Sequence, residues 1–409
     1  MNKALRCVVV ASLVIGASAS CLLAVEPTSS PVQFESTDWP WWRGPERNGI
    51  AAADQDPPLH WSQTENVLWK AAVPGRGHGS VTVVGDQVFL ATADEQADKQ
   101  IVLCFDRNTG KEMWQTVVHD GGIERKGNKK ASQASGTIAC DGERLFINFL
   151  NREAAYTTAL SRGGEILWQT KISDYVVHQG YGSSPAIYES LVIVSADNKR
   201  EGGGAIAGLK RTTGDVVWRH ARPATPNYPS PIILKVAGRD QVLLTGCDLV
   251  SSYAPLTGEK LWEIAGATTE CVTSTVTDGN IILTSGGYPK NHVSAVRADG
   301  SGEVVWENNV RVYVPSMLIH AGTIYGVTDD GVARCWEAAT GKELWKGRLG
   351  GTFSSSPVMV GKHIFAINEA GEGFVFKADP AEFELIAQNQ LGNEVFATPT
   401  ICGSRIYMR

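Results

Sequence analysis

One short phrase recurs along this chain and limits what it can fold into. It reads LTGEKLWE at Leu256–Glu263, NTGKEMWQ at Asn108–Gln115, TTGDVVWR at Thr212–Arg219 and ATGKELWK at Ala339–Lys346. Looser copies, RGGEILWQ and GSGEVVWE, start at Arg162 and Gly300. The tryptophans of these phrases, Trp114, Trp168, Trp218, Trp262, Trp306 and Trp345, are 54, 50, 44, 44 and 39 residues apart, and Trp69 in NVLWKAAV lies 45 before the first. Periods of 40 to 50 residues with strand-like content belong to β-propellers, one four-stranded blade per period.

A second register gives the same count. Eight small-residue phrases precede the blades: HGSV (78–81), ASGT (134–137), GSSP (182–185), YPSP (228–231), VTST (272–275), VPSM (314–317), SSSP (354–357) and FATP (396–399). Most lead into β-branched stretches around a Gly-containing turn, as in SPAIYESLVIVSAD (184–197), which is a hairpin signal. The fold expected is all-β, an eight-bladed propeller of four-stranded antiparallel blades. Seven blades are continuous in sequence. The eighth is expected as a composite, with VFATPTICGSRIYMR (395–409) supplying inner strands and NVLWKAAV (66–73) an outer one, which would close the ring and remove exposed sheet edges. No residues are assigned to that blade's third strand, so either it has three strands or the chain is shorter than its relatives. Within each phrase the Gly supplies positive φ for a tight turn, Asp or Thr bonds the turn backbone, and the Trp packs its apolar body between neighbouring blades.

Composition narrows the function classes. With 43% hydrophobic and 20% charged residues, a net charge of −6 and a pI near 5.8, the chain lacks the basic footprint of a nucleic-acid partner. Its one basic run, Arg125–Lys130, is broken by Gly and Asn and is expected to be a solvated loop. The first 24 residues carry a basic start, an apolar run at Val8–Ile15 and then small residues, the layout of a secretory signal. Cys21 would allow lipid anchoring, but Ser18-Ala19-Ser20 lacks the usual aliphatic residue before it. The expectation is a periplasmic or secreted monomer with no transmembrane segment: a signal peptide (1–24), an extended strap rich in Trp and Pro (25–60) and the propeller (61–409). Cys104, Cys140, Cys247, Cys271, Cys335 and Cys402 form no CxxC or vicinal pair. Several hold equivalent places in different repeats, so buried free thiols are expected.

The D-x-x-TG-x-x-x-W pattern, best matched by DRNTGKEMW at Asp106–Trp114, resembles the pyrroloquinoline quinone (PQQ)-like β-propeller repeat family. The resemblance covers about residues 60–409. It implies either a quinoprotein alcohol or sugar dehydrogenase or a cofactor-free scaffold of the BamB type. The first class holds PQQ and Ca²⁺ at the ring centre, typically under a vicinal Cys–Cys pair, and no CysCys occurs here. No cofactor and no metal are therefore expected, and PQQ with Ca²⁺ belongs to the alternative.

Residues just upstream of the small-residue phrases should rim the central funnel. They are Arg76, His78, Gln133, His178, Gln179, Tyr181, Asn227, Tyr228, Glu270, Arg311, Tyr313, Phe353, Glu394 and Phe396. Mixed charge with aromatic side chains suits a protein segment or a small polar ligand. No G-x-S-x-G, P-loop or H-E-x-x-H motif occurs. The function expected is a non-catalytic interaction or ligand-binding scaffold, with a quinoprotein oxidoreductase and a BamB-like assembly factor as alternatives.

Overall fold

A computed structural model describes residues 33–409; the signal-peptide region and Cys21 lie outside the described residues. Thirty strands form seven four-stranded antiparallel sheets and one two-stranded sheet. The first blade is built from Thr82–Val84, Gln87–Asp94, Lys99–Asp106 and Glu112–Asp120, and the next six repeat that order. Their innermost strands are neighbours in sequence order, from Thr82–Val84 and Ala139–Cys140 round to Val358–Val360 and Thr400–Cys402. Thr400 Oγ1 then donates to Val81 O at 2.6 Å, bringing the eighth blade to the first. Second and third strands are buried on both faces because another blade covers each side, whereas outer strands such as Glu112–Asp120 alternate.

The repeated phrase joins blades. Asp106 Oδ1 accepts from Asn108 N, Thr109 N and Thr109 Oγ1, which fixes the turn. Gly110 follows at φ +67°, and a Cβ there would lie 2.5 Å from the ring of Trp69, contributed by the preceding outer segment. The same pairing recurs as Trp114–Gly164, Trp168–Gly214, Trp218–Gly258 and Trp306–Gly341, and each indole N–H donates to a carbonyl of the following blade. Trp262 departs from it, meeting Gly300 and donating to Gln241 Oε1 of its own blade. Across the ladder from each Trp stands a small residue: Cys104, Ala159, Gly208, Ser252, Ala295 and Cys335.

The small-residue phrases form a second set of joints. Backbone N–H groups donate to the hydroxyl of the next blade from Ser80 to Thr137, Thr137 to Ser184, Ser184 to Ser230, Ser274 to Ser316, Ser316 to Ser356 and Ser356 to Thr398, at 2.8–3.0 Å. Ser274 Oγ accepts instead from Trp42 Nε1 at 2.7 Å, and Ser80 Oγ is buried without a partner among the described residues.

The strap crosses the face where the innermost hairpins turn. Trp39 bridges Val83, Pro40 O accepts from Cys140 N, Arg47 donates to Ile187 O, Arg43 to Met317 O, and Ile50 bridges Met359. Asp56 N reaches Ser404 Oγ of the eighth blade.

That eighth blade departs from expectation. It holds only Thr400–Cys402 and Arg405–Tyr407, and residues 66–73 carry no ladder to it. With no third strand between, the backbone of 66–73 has no strand to pair with. The segment still supplies Trp69, whose Nε1 donates to Arg107 O at 3.0 Å and whose ring lies 6.2 Å from Tyr407. In the seventh blade Ala387 stands where the first six carry Trp, and Trp61, which follows the strap, enters the same core cluster, stacked on Phe365. Cys104, Cys140, Cys247, Cys271, Cys335 and Cys402 are all buried free thiols.

Candidate functional site in the central funnel

Because each innermost strand starts beside the ring axis, the residues that precede it surround a funnel of about 650 Å³. Its wall includes the belt hydroxyls of Thr137, Ser184, Ser230, Ser274, Ser316, Ser356 and Thr398, and Trp42 of the strap forms the floor. The mouth carries His78, His178, Gln179, Tyr181, Tyr228, Glu270, Arg311, Tyr313 and Phe396. Tyr288 joins them, 53% exposed, bridged to Glu270 through the backbone.

Charged groups here are engaged with one another. His178 Nε2 lies 3.2 Å from Glu270 Oε1, and the Glu270 side chain is 8% exposed. Burial pushes the Tyr228 phenol well up from its usual value and that of Tyr313 to about 12, with the Glu270 charge adding to both. Arg311 lies 5.1 Å over the Tyr313 ring and 3.9 Å from Asp329, whose carboxyl is raised by burial. His78 stacks on Phe396 at 4.6 Å; burial first, then Arg76 and Arg409, lower it to about 3, so it is neutral near pH 7.

The basic run folds over this mouth. Asn128 N and Nδ2 donate to Gln179 O and Oε1, and Lys130 Nζ reaches across to Glu369 at 2.7 Å. Arg76 holds the run from below, donating to the carbonyls of Lys129 and Lys130 at 3.2 Å each.

Other rim candidates lie elsewhere. Asn227 turns inward, donating to Asp197 and Thr245 O while accepting from Cys271 N. Phe353 is in the core between blades, and Gln133 offers its carbonyl to Gln100. Arg76 and Glu394 line a second cavity at the eighth blade. Trp42 was not among the sequence candidates. Its signal was the WPWW cluster, but its position depends on the path of the strap.

Comparison with known proteins follows the same architecture. A family model described as "Outer membrane protein assembly factor BamB" matches residues 98–332 and 289–382, more than half of the chain. The chain belongs to the PQQ-like β-propeller family. The outer membrane protein assembly factor BamB of Yersinia pestis is 22% identical over 358 residues, 82% of this chain and 84% of that protein. The crystal structure of BamB from Moraxella catarrhalis aligns with a TM-score of 0.57 at 17% identity, covering 80% of this chain and 90% of that one. Quinohemoprotein alcohol dehydrogenase from Comamonas testosteroni aligns with 0.65 at 14% identity, covering 91% and 76%. At these identities the structural likenesses establish the propeller fold alone.

A quinohemoprotein dehydrogenase is among the structures that share this fold, so the funnel's donor set can be tested against a Ca²⁺-bound quinone. Calcium takes six to eight oxygens with several carboxylates among them. One carboxylate, Glu270, lines this funnel, and His178 engages it. Among the described residues no three His, Cys, Asp or Glu side chains converge on a metal position. The donor set does not fit such a group.

Proposed function

We propose that this PQQ-like propeller is a non-catalytic scaffold of the cell envelope that holds a segment of a partner protein at the funnel mouth. The observation that carries the proposal is the mouth itself. Tyr228, Tyr288, Tyr313 and Phe396 surround an internally paired Glu270–His178 couple over a floor closed by Trp42. Tyr228, Tyr313 and Phe396 are half-buried and Tyr288 is exposed, so their rings remain accessible to a partner, and aromatic residues within a polar rim are the composition of interaction hot spots. A carboxylate held by His178 is poorly suited to serve as a free base. The similarity to proteins named as outer membrane assembly factors supports an envelope role.

A photo-crosslinking residue at position 313 tests the idea in envelope fractions. Discrete polypeptide adducts are expected there, and none from position 113 on the outer strand. Dye-linked alcohol oxidation after reconstitution with PQQ and Ca²⁺, abolished by Glu270→Gln, would refute a scaffold role.

A further inference from the structure

The run Arg125–Lys130 sets Arg125, Lys126, Lys129 and Lys130 close together on a chain of net charge −6. All four are exposed, yet the loop that carries them is tied to the funnel rim. Asn128 clamps it to Gln179 through backbone and side chain, Arg76 holds the carbonyls of Lys129 and Lys130, and Arg125 donates to the carbonyl of Glu95 at 2.7 Å. Asn128 and Lys130 line the funnel itself. Gathering like charges at one place costs Coulomb energy that an opposite charge offsets. Of the four cations, Lys130 alone has a carboxylate within ion-pair distance among the described residues, Glu369 at 2.7 Å.

The opposite side of the mouth has the same sign. The loop joins the first blade to the second, and Arg311 lies in the connection from the fifth to the sixth, half-way round the ring. The acids of the mouth are sunk beneath the bases they pair with. Side-chain exposure is 60% for Lys130 against 16% for Glu369, and 49% for Arg311 against 16% for Asp329. Ser354 Oγ donates to Glu369 and Tyr313 N to Asp329, which engages both carboxylates from within. Exposed Glu394 lines the cavity at the eighth blade rather than the funnel. An approaching molecule thus meets cations on two sides, with the rings of Tyr228 and Tyr313 in the wall.

We propose that the segment held at the funnel is acidic, its Asp and Glu side chains meeting the basic loop on one side and Arg311 on the other while its centre rests on the tyrosines. This rests on the scaffold reading above and adds to it the charge of what is held. Cations at an exposed rim act mainly on the rate of encounter and on the choice of partner, and salt screens them. The two kinds of cation also divide the task. Lysine is a point charge on a flexible stem that accepts carboxylates in several geometries, whereas Arg311 offers a planar fork to a single one.

Sequencing the position-313 photo-adducts by tandem mass spectrometry reads the captured segment, in which Asp and Glu should outnumber Lys and Arg. That segment, made as a labelled synthetic peptide, should bind with an affinity that falls as salt rises. Lys126→Gln with Lys129→Gln should weaken it about fivefold or more, at roughly twofold to fivefold for each exposed charge pair. Lys126→Glu with Lys129→Glu should weaken it further. The loop is tied through Arg125, Asn128, Lys130 and Arg76, so these variants leave its ties in place. Absence of adducts at position 313 overturns the scaffold reading and this inference with it. A neutral or basic captured segment, or affinity indifferent to the paired Gln variant, overturns the acidic partner alone and leaves the funnel as a binding site. Loop-dependent sedimentation with phosphatidylglycerol vesicles, in place of peptide binding, also overturns it and assigns the basic loop to an anionic lipid surface.

Discussion

If the glycine of the repeated phrase is there because an indole lies on it, its substitution should depend on that indole. Gly258 sits at φ +69°, and a Cβ would meet Trp218 Cδ2 at 2.4 Å. Alanine at left-handed φ costs roughly 1–2 kcal/mol by itself. Forcing the indole aside in a closed core adds roughly 1–3 kcal/mol, so Gly258→Ala should cost about 2–5 kcal/mol in all. Trp218→Ala alone should cost about 3–5 kcal/mol, since it empties a site where the ring is 7% exposed, stacked on Tyr253 and bonded to Pro255 O. In the Trp218→Ala background the clash is gone, and Gly258→Ala should cost only the backbone part, about 1–2 kcal/mol. Guanidinium unfolding of the four proteins, with m-values checked for constancy, measures the cycle. Equal costs of Gly258→Ala in both backgrounds, within about 0.5 kcal/mol, would refute the idea that the pair acts as one joint.

Other expectations concern the belt, the histidines and the thiols. Ser316→Ala removes the acceptor of the buried Ser274 N–H and should cost about 1–3 kcal/mol, while Ser80→Ala, whose hydroxyl has no partner among the described residues, should fall within about 0.5 kcal/mol of wild type. His78, His119 and His292 are lowered to about 3, 4 and 4, in each case first by burial. The unfolded chain therefore binds protons that the folded one refuses. Stability should be full above the unfolded value near 6.5 and fall as pH drops towards 4, by at most about 1.4 kcal/mol per pH unit for each histidine. Denaturation midpoints between pH 7 and 4 measure that slope, and a flat profile would contradict it. A thiol reagent should leave the six buried cysteines unmodified in the native protein and react with all six in denaturant, because burial also raises each of them.

The blade count was legible because a propeller writes its period twice, in tryptophans and in small residues, and both registers serve contacts between consecutive blades. What the small residues do was not legible. The partner of Ser316 Oγ is the N–H of Ser274, 42 positions earlier, and only the closed ring brings them together. At the funnel, position upstream of a small-residue phrase nominated both Asn227 and Tyr228, and the structure sets only Tyr228 on the funnel wall. Adjacent side chains on extended backbone point to opposite sides, so Asn227 turned into the Asp197 and Cys271 network. The eighth blade shows the same limit. Trp69 marks an outer position by its chemistry, yet a strand exists only where a neighbour offers hydrogen bonds, and residues 66–73 have none.

The strap changes how this repeat array can come apart. A linear solenoid frays from its ends, because each terminal repeat has a single neighbour to lose. Here the first and last described segments are tied across the molecule. Trp42 is held by Ser274 and Arg43 by Met317, while Asp56 reaches Ser404 over a separation of 348 residues. The earliest and latest described parts of the chain secure one another, so no blade is terminal in the mechanical sense. An end blade can fray only after this tie is lifted, which couples the nearest-neighbour units to one another beyond their shared interfaces.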